Sequence, residues 1–453
     1  MKILLLSFTL QNNMFPLGLN YIKNYAKKHH PNTNIQIKEF TFGNKSGYET
    51  NKNIELQALS YIKLNNPDIV AFSCYIWNFE MTKDFARAIK LINNNIKIIV
   101  GGVEISSNLV TKEIDYFISG EGEIAFSNII SHLKQEIPIE EVNNVIYYNN
   151  KTNQLVENKK EFINNLDTIP FPYELTNNNS HQSNQPNTQI NITTNNNQTN
   201  NTFDVLRLET TRGCHFKCNF CHYGKPIFRE FSIEYLQENI PKLFQNYNFK
   251  TLTILDANFN YNNQRMQTIL NIIKTQHNNK ILKNKLNPNL KLNLHIELRP
   301  ELINKEIINT LEQTNFNITA ELGLQSTDKD VQKQANRPTN IDKVKQALQL
   351  LENSKINYKI DLMHALASDN IFKFLNSCKF ILNNATSQKQ IISHHLMMLN
   401  NTTYFDNKQE LNLIRYTPNS SSMIIKTNTQ DVFDLYKTKL YLDMTNAELK
   451  LIR

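Results

Sequence analysis

The chain has 453 residues, of which 40% are hydrophobic and 20% charged, and its formal net charge is +8. That length allows two or three domains with cores of their own. No apolar run approaches the roughly 18 residues of a membrane-spanning helix. The basic residues form no compact stripe with interleaved aromatics, so no nucleic-acid partner is indicated. The opening MKILLLSFTL is followed by a polar and then amphipathic stretch without a cleavage site. It is therefore interpreted as a buried strand of a cytoplasmic protein, not as a signal peptide.

The first part of the chain alternates between apolar strands and amphipathic helices. Uniformly apolar strands separated by such helices indicate a parallel sheet covered on both faces. We therefore predict a Rossmann-like, doubly wound α/β domain over residues 1–135. Its predicted strands are KILLLSF, IQIKEF, DIVAFS, IKIIV and DYFIS, and its predicted helices are LGLNYIKNYAKK, IELQALSYIKL, FEMTKDFARAIKLI and the segment from Glu121 to Leu133.

Polar or glycine-rich turns follow three of these strands. Ligands of doubly wound sheets bind at the carboxyl ends of the strands, and glycine lets a backbone approach a bulky ligand closely. The alternative is that these are simple tight turns. Because three such turns share one predicted edge, we favour a ligand site there. Its candidate residues are Ser73, Cys74, Gly101, Gly102, Glu121 and Gly122.

A polar segment divides the chain. Residues 175–203 include no charged residue and little besides Asn, Gln, Thr and Ser. Such a segment offers too little apolar surface to offset the entropy of ordering, so a disordered insert is predicted there, after a connector at residues 136–174.

The second part of the chain alternates again. Six strand–helix units predict a partial (β/α)6 barrel of the TIM type over residues 204–400, with its active site at the carboxyl ends of the strands. A carboxyl-terminal extension without a recognisable motif occupies residues 401–453. The predicted strands are VLRLET, LTILDA, LNLHIEL, ITAELGL, YKIDLM and IISHHLMML, and the clearest helices are IEYLQENIPKLF and IDKVKQALQLLEN.

Three of the five cysteines, Cys214, Cys218 and Cys221, stand in "CHFKCNFCHYG", directly after the first barrel strand. A structural zinc site would need a fourth ligand, for which His215 or His222 is available. The Cys-x-x-Cys-His within the stretch also fits c-type haem attachment, which would require export and leave Cys214 without a purpose. A 4Fe–4S cluster held by three thiolates accounts for all three cysteines and leaves one iron open to a ligand.

The pattern Cys-x3-Cys-x2-Cys, with Phe220 before the last cysteine, resembles the signature of the radical S-adenosylmethionine (radical SAM) enzymes. In that family SAM chelates the open iron of a 4Fe–4S cluster and is cleaved by one electron to methionine and a 5′-deoxyadenosyl radical. The resemblance therefore implies the cluster and SAM as cofactors. It also implies a reductant such as flavodoxin or ferredoxin and a substrate that the sequence leaves unidentified.

The resemblance assigns roles to residues at matching positions. Cys214, Cys218 and Cys221 would ligate the cluster. The segment LTILDANFN lacks the family's Gly-Gly-Glu form, and DLMHALASDN lacks the expected glycine and proline. The residues implied to contact SAM are Phe220 and Tyr223 at the adenine, Asp256 and Asn258 near the amino group, Glu321 and Gln325 on the fourth barrel strand, and Arg337 at the carboxylate.

Five side chains of the predicted barrel raise alternatives. Glu321 and Arg337 could equally form a structural ion pair. His364 is interpreted as a buried, satisfied histidine. Of the neighbours His394 and His395, one must face the barrel interior, because successive strand residues point to opposite faces.

The first part of the chain resembles the cobalamin-binding domain of the cobalamin-dependent radical SAM class. The matching segments are DIVAFSCYIWNFEM, IIVGGVEIS, DYFISGEGE and the connector LDTIPFPYE. The loop TLQNNMFPLG lacks the Asp-x-His-x-x-Gly motif that supplies a histidine to cobalt in many cobalamin proteins. The resemblance therefore implies cobalamin bound without a protein histidine.

Functions of two classes, enzyme and sensor, are compatible with this resemblance. The favoured one is an enzyme in which the radical acts on an unreactive carbon and methylcobalamin delivers a methyl group. A cobalamin-dependent rearrangement or oxidation is the enzymatic alternative. A non-catalytic iron–sulfur or cobalamin sensor is the alternative of another class.

Overall fold

The computed structural model describes residues 1–9, 14–41, 48–149, 151–173, 201–224, 226–285, 287–388, 390–416 and 422–452. The insert predicted at 175–203 therefore lies outside the described residues, apart from its last three positions. The chain forms two compact units. The first comprises Met1–Ile163, Asp167–Leu206 and Gln237–Lys250, and the second comprises Asn164–Leu166, Arg207–Leu236 and Thr251–Arg453.

The first unit is built on a seven-stranded sheet. The strands are β1 (Lys2–Thr9), β2 (Asn34–Thr41), β3 (Ile69–Ser73), β4 (Lys97–Gly101), β5 (Tyr116–Ile118), β6 (Val145–Asn149) and β7 (Gln154–Glu157). The helices are α1 (Leu17–His29), α2 (Tyr48–Asn65), α3 (Phe79–Ile92) and α4 (Glu123–Leu133). The order is β2-β1-β3-β4-β5-β6-β7, with β1 to β5 parallel and β6 and β7 antiparallel. The predicted doubly wound sheet is confirmed.

The residues of β1 show why this sheet forms. Leu4 and Leu6 point into one apolar core, and Ile3 and Leu5 point into another, with at most 2% of any of them exposed. Because side chains alternate between the two faces of a strand, a continuous apolar run requires helices on both sides. The helices cover both faces, so the carboxyl ends of β3, β4 and β5 remain accessible. We call this end of the sheet the accessible edge.

The other strands are β8 (Thr202–Leu208), β9 (Thr211–Arg212), β10 (Arg229–Glu230), β11 (Asn248–Ile254), β12 (Asn293–Leu298), β13 (Asn317–Gln325), β14 (Asn357–His364), β15 (Ile392–His395), β16 (Ile414–Arg415) and β17 (Ile424–Lys426). The other helices are α5 (Ile233–Asn246), α6 (Asn263–Lys283), α7 (Lys305–Glu312), α8 (Lys329–Gln334), α9 (Ile341–Glu352), α10 (Ile371–Asn384), α11 (Thr403–Asp406) and α12 (Val432–Ile452).

Six of these strands form the second sheet, in the order β15-β14-β13-β12-β11-β8. Within this sheet, strands that follow one another along the chain are neighbours. The pairs from β11 to β15 are parallel. This is the predicted partial barrel. In β13, Ile318, Ala320, Leu322 and Leu324 are buried, whereas the alternate residues are only partly so. We call the face that bears Glu321 and Gln325 the inner face of the half-barrel.

Asparagines have defined structural roles in the second unit. At four helix starts an Asn side chain accepts a hydrogen bond from the backbone N–H three residues later, which satisfies an amide without an intrahelical partner. The capping residues are Asn262, Asn304, Asn340 and Asn370. The abundant asparagines therefore include residues that fix helix boundaries.

The segments on either side of the barrel also contribute structure. The region predicted as a connector supplies β6 and β7, which extend the first sheet as an antiparallel hairpin. The carboxyl-terminal region supplies the antiparallel pair β16–β17 and the long helix α12, which packs on α10. Among the described residues, none of the helices is long and apolar enough to span a bilayer.

Candidate active site

The loop that carries the three clustered cysteines is closed at its base. It leaves the sheet after β8, and β9 pairs with β10 where the loop returns. Gly213 has a φ of +81°, and a Cβ there would lie 2.8 Å from the carbonyl oxygen of Ile227. A Cβ at Gly224 would lie 2.7 Å from the carbonyl oxygen of Phe216. Only glycine permits both approaches, so these two residues let the loop fold back on itself.

The three thiols influence one another. Cys218 is buried, and Cys214 and Cys221 are partly exposed. Burial raises the pKa of Cys221 to about 11, and the neighbouring Cys218 and Cys214 add to that effect. Burial raises the pKa of Cys214 as well. Ionising all three side by side is costly without a cation, and a metal centre would remove this cost by displacing the thiol protons.

The number and kind of ligands distinguish the candidate metal centres. The loop supplies three thiolates, and a fourth protein ligand for zinc would have to come from His215 or His222. In a 4Fe–4S cube each thiolate binds a different iron. The imidazole of His215 lies against the ring of Phe228, at 3.7 Å between centroids. These residues fit an iron–sulfur cluster.

Polar donors surround the sulfurs. Asn258 donates from Nδ2 to Sγ of Cys214 at 3.0 Å, and Arg337 donates from Nη1 to Sγ of Cys218 at 3.5 Å. Hydrogen bonds and positive charge favour the thiolate over the thiol. Hydrogen bonds to the sulfurs also help to set the potential of an iron–sulfur cluster. Asn258 and Arg337 therefore lie beside the cysteine sulfurs themselves.

Arg299 is a site residue that the sequence reasoning missed. It follows the last residue of β12, is 2% exposed, and places its guanidinium 3.5 Å from the centroid of the Phe216 ring. Its Nε donates to Glu301 at 2.6 Å, and Nη2 donates to the carbonyl oxygen of Pro338 at 2.9 Å. A charge at the end of the apolar strand LNLHIEL was the available signal. Arg299 supports the cysteine loop through Phe216.

Asp256 contacts the segment that leads from β8 into the cysteine loop. Its carboxylate is 1% exposed and accepts hydrogen bonds from the backbone N–H groups of Thr210 and Thr211, at 2.9 and 3.1 Å, and from the Thr210 hydroxyl. Burial raises the pKa of Asp256, and these donors oppose that effect. Hydrogen bonds within the protein therefore occupy both carboxylate oxygens. They fix the end of the strand that precedes the cysteine loop.

Gln325 has the local strain that often marks a functional position. Its φ is +68°, and the register of β13 and β14 shifts between Gly323 and Gln325. Its buried Oε1 has no hydrogen-bond partner in the structure. Arg337 donates from Nη2 to the carbonyl oxygen of Gly323, which brings these groups together. Strained backbone and unsatisfied buried groups both persist where a site requires them. Arg337 does not pair with Glu321, which instead contacts His295.

The two aromatic residues of the cysteine loop differ in environment. Phe220 is partly buried and meets the ring of Tyr404 edge-on, at 6.4 Å between centroids. Tyr223 is 47% exposed. The loop thus offers one fixed ring and one accessible ring near the cysteines.

The histidines on β14 and β15 fall on opposite faces of the sheet. His394 points to the inner face, where its Nε2 lies 3.5 Å from the Asp361 carboxylate. His395 points the other way and lies beside His364. His364 is 2% exposed and bonds through Nδ1 to Ser393 Oγ at 2.8 Å, and its burial lowers the pKa to about 3. His364 is therefore buried, as predicted, but it is not fully satisfied, because its Nε2 has no hydrogen-bond partner in the structure.

The accessible edge of the first unit is formed mainly by backbone. Gly102 has a φ of +145°, and a Cβ there would lie 1.9 Å from the carbonyl oxygen of Cys74. The Cys74 N–H donates to the carbonyl oxygen of Gly101 at 2.7 Å, which joins the turns after β3 and β4. The Cys74 thiol is fully buried beside Thr82, so only its backbone reaches the edge. Ser73 ends β3 next to Gly101 in register.

The turn after β5 completes this edge. Gly122 precedes α4, and a Cβ there would lie 3.3 Å from Cδ1 of Ile22. The Glu121 carboxylate accepts the backbone N–H of Ile163 at 2.7 Å. Glu121 therefore anchors the following segment of the chain, and Gly122 lets helix α4 pack against α1.

Two aromatic residues lie at the same edge. Tyr75 and Trp77 are stacked with 4.5 Å between ring centroids and 4° between ring planes. They are 36% and 53% exposed, and Val103 in the neighbouring turn is 56% exposed. An exposed apolar surface of this kind, beside a glycine turn, is typical of a ligand site. The sequence segment SCYIWN contains both residues, but it did not reveal their stacking.

Comparison with known protein families identifies the domains that the chain contains. The B12 binding domain family matches residues 3–130, and the radical SAM superfamily matches residues 208–381. The chain is a radical SAM protein with a B12 binding domain. The radical SAM match implies a 4Fe–4S cluster, SAM and a reductant, and the B12 match implies cobalamin.

Several radical SAM proteins and methyltransferases resemble this one in sequence. The cobalamin-dependent radical SAM methyltransferase TokK of Streptomyces tokunonensis is 28% identical over 201 residues, which are 43% of this chain and 28% of TokK. An uncharacterised methyltransferase of Pyrococcus horikoshii is 26% identical over 264 residues, 55% of this chain and 50% of the relative. The chain thus spans half or less of these relatives.

Solved radical SAM structures share the fold. The methyltransferase TsrM from Kitasatospora setae, with tryptophan and a SAM analogue bound, gives a TM-score of 0.67 at 12% identity, over 92% of this chain and 77% of TsrM. The cobalamin-dependent radical enzyme OxsB also gives 0.67, at 17% identity, over 97% of this chain and 65% of OxsB. This radical SAM protein therefore has the fold of cobalamin-dependent members of the superfamily.

Proposed function

We propose that the protein is a cobalamin-dependent radical SAM methyltransferase that methylates an unreactive carbon. The carrying observation is the glycine-closed loop with three cysteines at the carboxyl edge of a half-barrel, in a chain whose first unit matches the B12 binding domain. The similarity to TokK, a cobalamin-dependent radical SAM methyltransferase, supports methyl transfer. We assign the first domain to residues 1–135 and the barrel domain to residues 204–400.

In this proposal Cys214, Cys218 and Cys221 hold the cluster. The bound cofactors would supply the radical and methyl-transfer chemistry, and the protein would supply binding, orientation and exclusion of side reactions. Asn258 and Arg337 support the assignment, because each donates a hydrogen bond to a cysteine sulfur.

For SAM we assign Gln325, Arg337, Phe220 and Tyr223. The unpartnered Oε1 of Gln325 is available to a hydroxyl or amino group of the ligand. The Arg337 guanidinium would balance a carboxylate. Tyr223 has an accessible ring for the adenine, and Phe220 lies in the same loop. Asp256 fixes the end of the preceding strand, so we assign it a positioning role.

For cobalamin we assign the backbone of Ser73, Cys74, Gly101, Gly102 and Gly122. The described turns after β3, β4 and β5 include no histidine, so cobalt would have no imidazole ligand from this edge. The exposed Tyr75–Trp77 stack supports the assignment, since a corrin offers a large apolar face to an aromatic surface. We also propose that the protein acts in the reducing cytoplasm, where its thiols and cluster would persist.

The proposal is tested by anaerobic reconstitution. The protein should bind about four iron and four sulfide per chain, and after reduction it should convert SAM to 5′-deoxyadenosine. Added hydroxocobalamin should bind and give the spectrum of cobalt without a histidine ligand. With methyl-labelled SAM and cell extract, label should appear in a metabolite or macromolecule.

Each competing function predicts a different result. Formation of deoxyadenosine without label transfer would replace methyl transfer by a rearrangement or oxidation. Binding of cobalamin without SAM cleavage under any reductant would make the protein a sensor. A colourless protein with one zinc would contradict the cluster.

A further inference from the structure

Four side chains form a row across the inner face of the half-barrel, which we call the inner row: His295 on β12, Glu321 on β13, Asp361 on β14 and His394 on β15. His295 Nε2 lies 2.9 Å from Glu321 Oε2, and His394 Nε2 lies 3.5 Å from Asp361 Oδ1. A carboxylate oxygen of Glu321 lies within 4.8 Å of one of Asp361. In this row two carboxylates lie between two imidazoles. The residues proposed to hold the cluster, SAM and cobalamin do not account for this arrangement.

The distances suit ligands around a single ion. One ligand atom each from Glu321, Asp361 and His394 lies within 4.8 Å of the others. Metal–ligand bonds of about 2.1 Å place neighbouring ligand atoms roughly 3.0 to 3.4 Å apart. At 3.5 Å the His394–Asp361 contact is too long for a strong hydrogen bond, but a bound ion would need only a slight contraction.

The charges in the row also call for a cation. Glu297 pairs in register with Glu321, and Asp361 follows on the next strand, so three carboxylates occupy neighbouring strands. The Asp361 side chain is only 9% exposed. Carboxylates crowded in this way repel one another unless positive charge intervenes. His295, His394 and Lys359, which acts electrostatically on Glu321, are basic side chains at the row.

We propose that Glu321, Asp361 and His394 bind one divalent first-row transition-metal ion, at a site separate from the cysteine loop, while His295 contacts Glu321. An imidazole among the ligands favours a transition metal over Mg²⁺ or Ca²⁺, and two carboxylates neutralise a dication. The His394 side chain is 60% exposed, which gives an ion a path to the inner face. This site does not depend on the proposed methyltransferase activity. It gives Glu321 a role as a metal ligand that competes with the role in SAM binding implied by the family resemblance.

The test uses Mn²⁺, which prefers oxygen and nitrogen ligands to thiolates. Protein that carries its cluster is passed over a chelating resin and titrated with Mn²⁺, while electron paramagnetic resonance measures the free aquo ion. We expect one equivalent to bind without SAM. His394→Ala should weaken binding at least tenfold and leave folding intact, because this side chain is largely exposed. Asp361→Asn and Glu321→Gln should have effects at least as large.

The matched control is His395→Ala, which changes the adjacent histidine on the opposite face of β15. It should retain one equivalent of Mn²⁺, and iron content and thermal unfolding establish that each variant is folded. If Mn²⁺ does not bind, or binds equally to wild type and His394→Ala, the metal site is refuted. A row that recognises only a substrate ammonium group would give that first result. SAM cleavage, measured on the same samples, reports separately on the proposed function.

Discussion

The two parallel sheets present different kinds of atoms at their accessible edges. The edge of the first unit consists of backbone turns, with Gly102 pressed against the carbonyl of Cys74, and of exposed aromatic rings. The edge of the half-barrel consists of side-chain sulfur, amide and guanidinium groups that contact one another. A broad ligand can be held by surface shape, whereas a small inorganic cluster must be held by particular atoms. The two edges should therefore respond oppositely to side-chain and backbone substitutions.

The largest effect is expected in the cysteine loop. Cys214→Ala, Cys218→Ala or Cys221→Ala should reduce bound iron from about four per chain to nearly none, because no other ligand replaces the thiolate. Cys378→Ala is the matched control: this cysteine is also buried, in α10, and iron should stay at four. Iron and sulfide analysis after anaerobic reconstitution measures both. A Cys218→Ala protein with a full cluster would refute the ligand assignment.

A backbone change should be next in size, at the other edge. Gly102→Ala places a Cβ 1.9 Å from the Cys74 carbonyl oxygen, so the turn must move. We expect a loss of about 3 kcal/mol in the free energy of unfolding, together with loss of cobalamin binding. Gly101→Ala is the matched control, since its Cβ would meet only the Ile118 side chain at 3.6 Å. Equal behaviour of the two variants would show that this edge does not depend on close backbone approach.

Arg337 tests a charged side chain at the half-barrel edge. Arg337→Gln removes the hydrogen bond to Cys218 and the positive charge offered to SAM. A charge-assisted hydrogen bond contributes about 2 kcal/mol, so SAM affinity should fall roughly 30-fold. Equilibrium binding to cluster-loaded protein measures this, and Arg337→Lys should recover only part of the affinity because it lacks the planar fork. Unchanged affinity in Arg337→Gln would remove this residue from the SAM site.

The smallest effect should come from a side-chain truncation at the first edge. Trp77→Ala should leave stability unchanged, because Trp77 is 53% exposed, and should weaken cobalamin binding by about tenfold through lost aromatic contact. Leu91→Ala, at a residue 89% exposed on α3, is the control and should bind normally. A spectrophotometric titration with hydroxocobalamin suffices. Normal binding by Trp77→Ala would exclude the aromatic stack from the cofactor surface.

The sequence predicted the two sheets because their strands depend on local patterns. An uninterrupted apolar run such as that of β1 is most readily buried as a strand covered on both faces. The cysteine spacing identifies the chemistry of the loop without reference to distant residues. The antiparallel pair β6–β7 was missed, because β7 is short, polar at both ends and mostly exposed, and it is held in place by pairing with β6.

Side-chain partners at the sites were less predictable, because they depend on contacts between residues far apart in sequence. Neither the contact of Arg299 with Phe216 nor that of Glu121 with Ile163 follows from spacing. For His394 and His395 the alternation of a strand required that one face the inner side, but only the register of β14 and β15 identifies which.

The short pairing of β9 with β10 has a consequence for how the protein acquires iron. This pairing joins the two ends of the cysteine loop. Much of the entropic cost of closing the loop is therefore met during folding. Metal insertion then needs to organise only the thiolates, so cluster assembly can follow the completed fold. Newly made protein would be a stable acceptor that waits for iron and sulfide, and cells short of either would accumulate a folded precursor instead of a degraded chain.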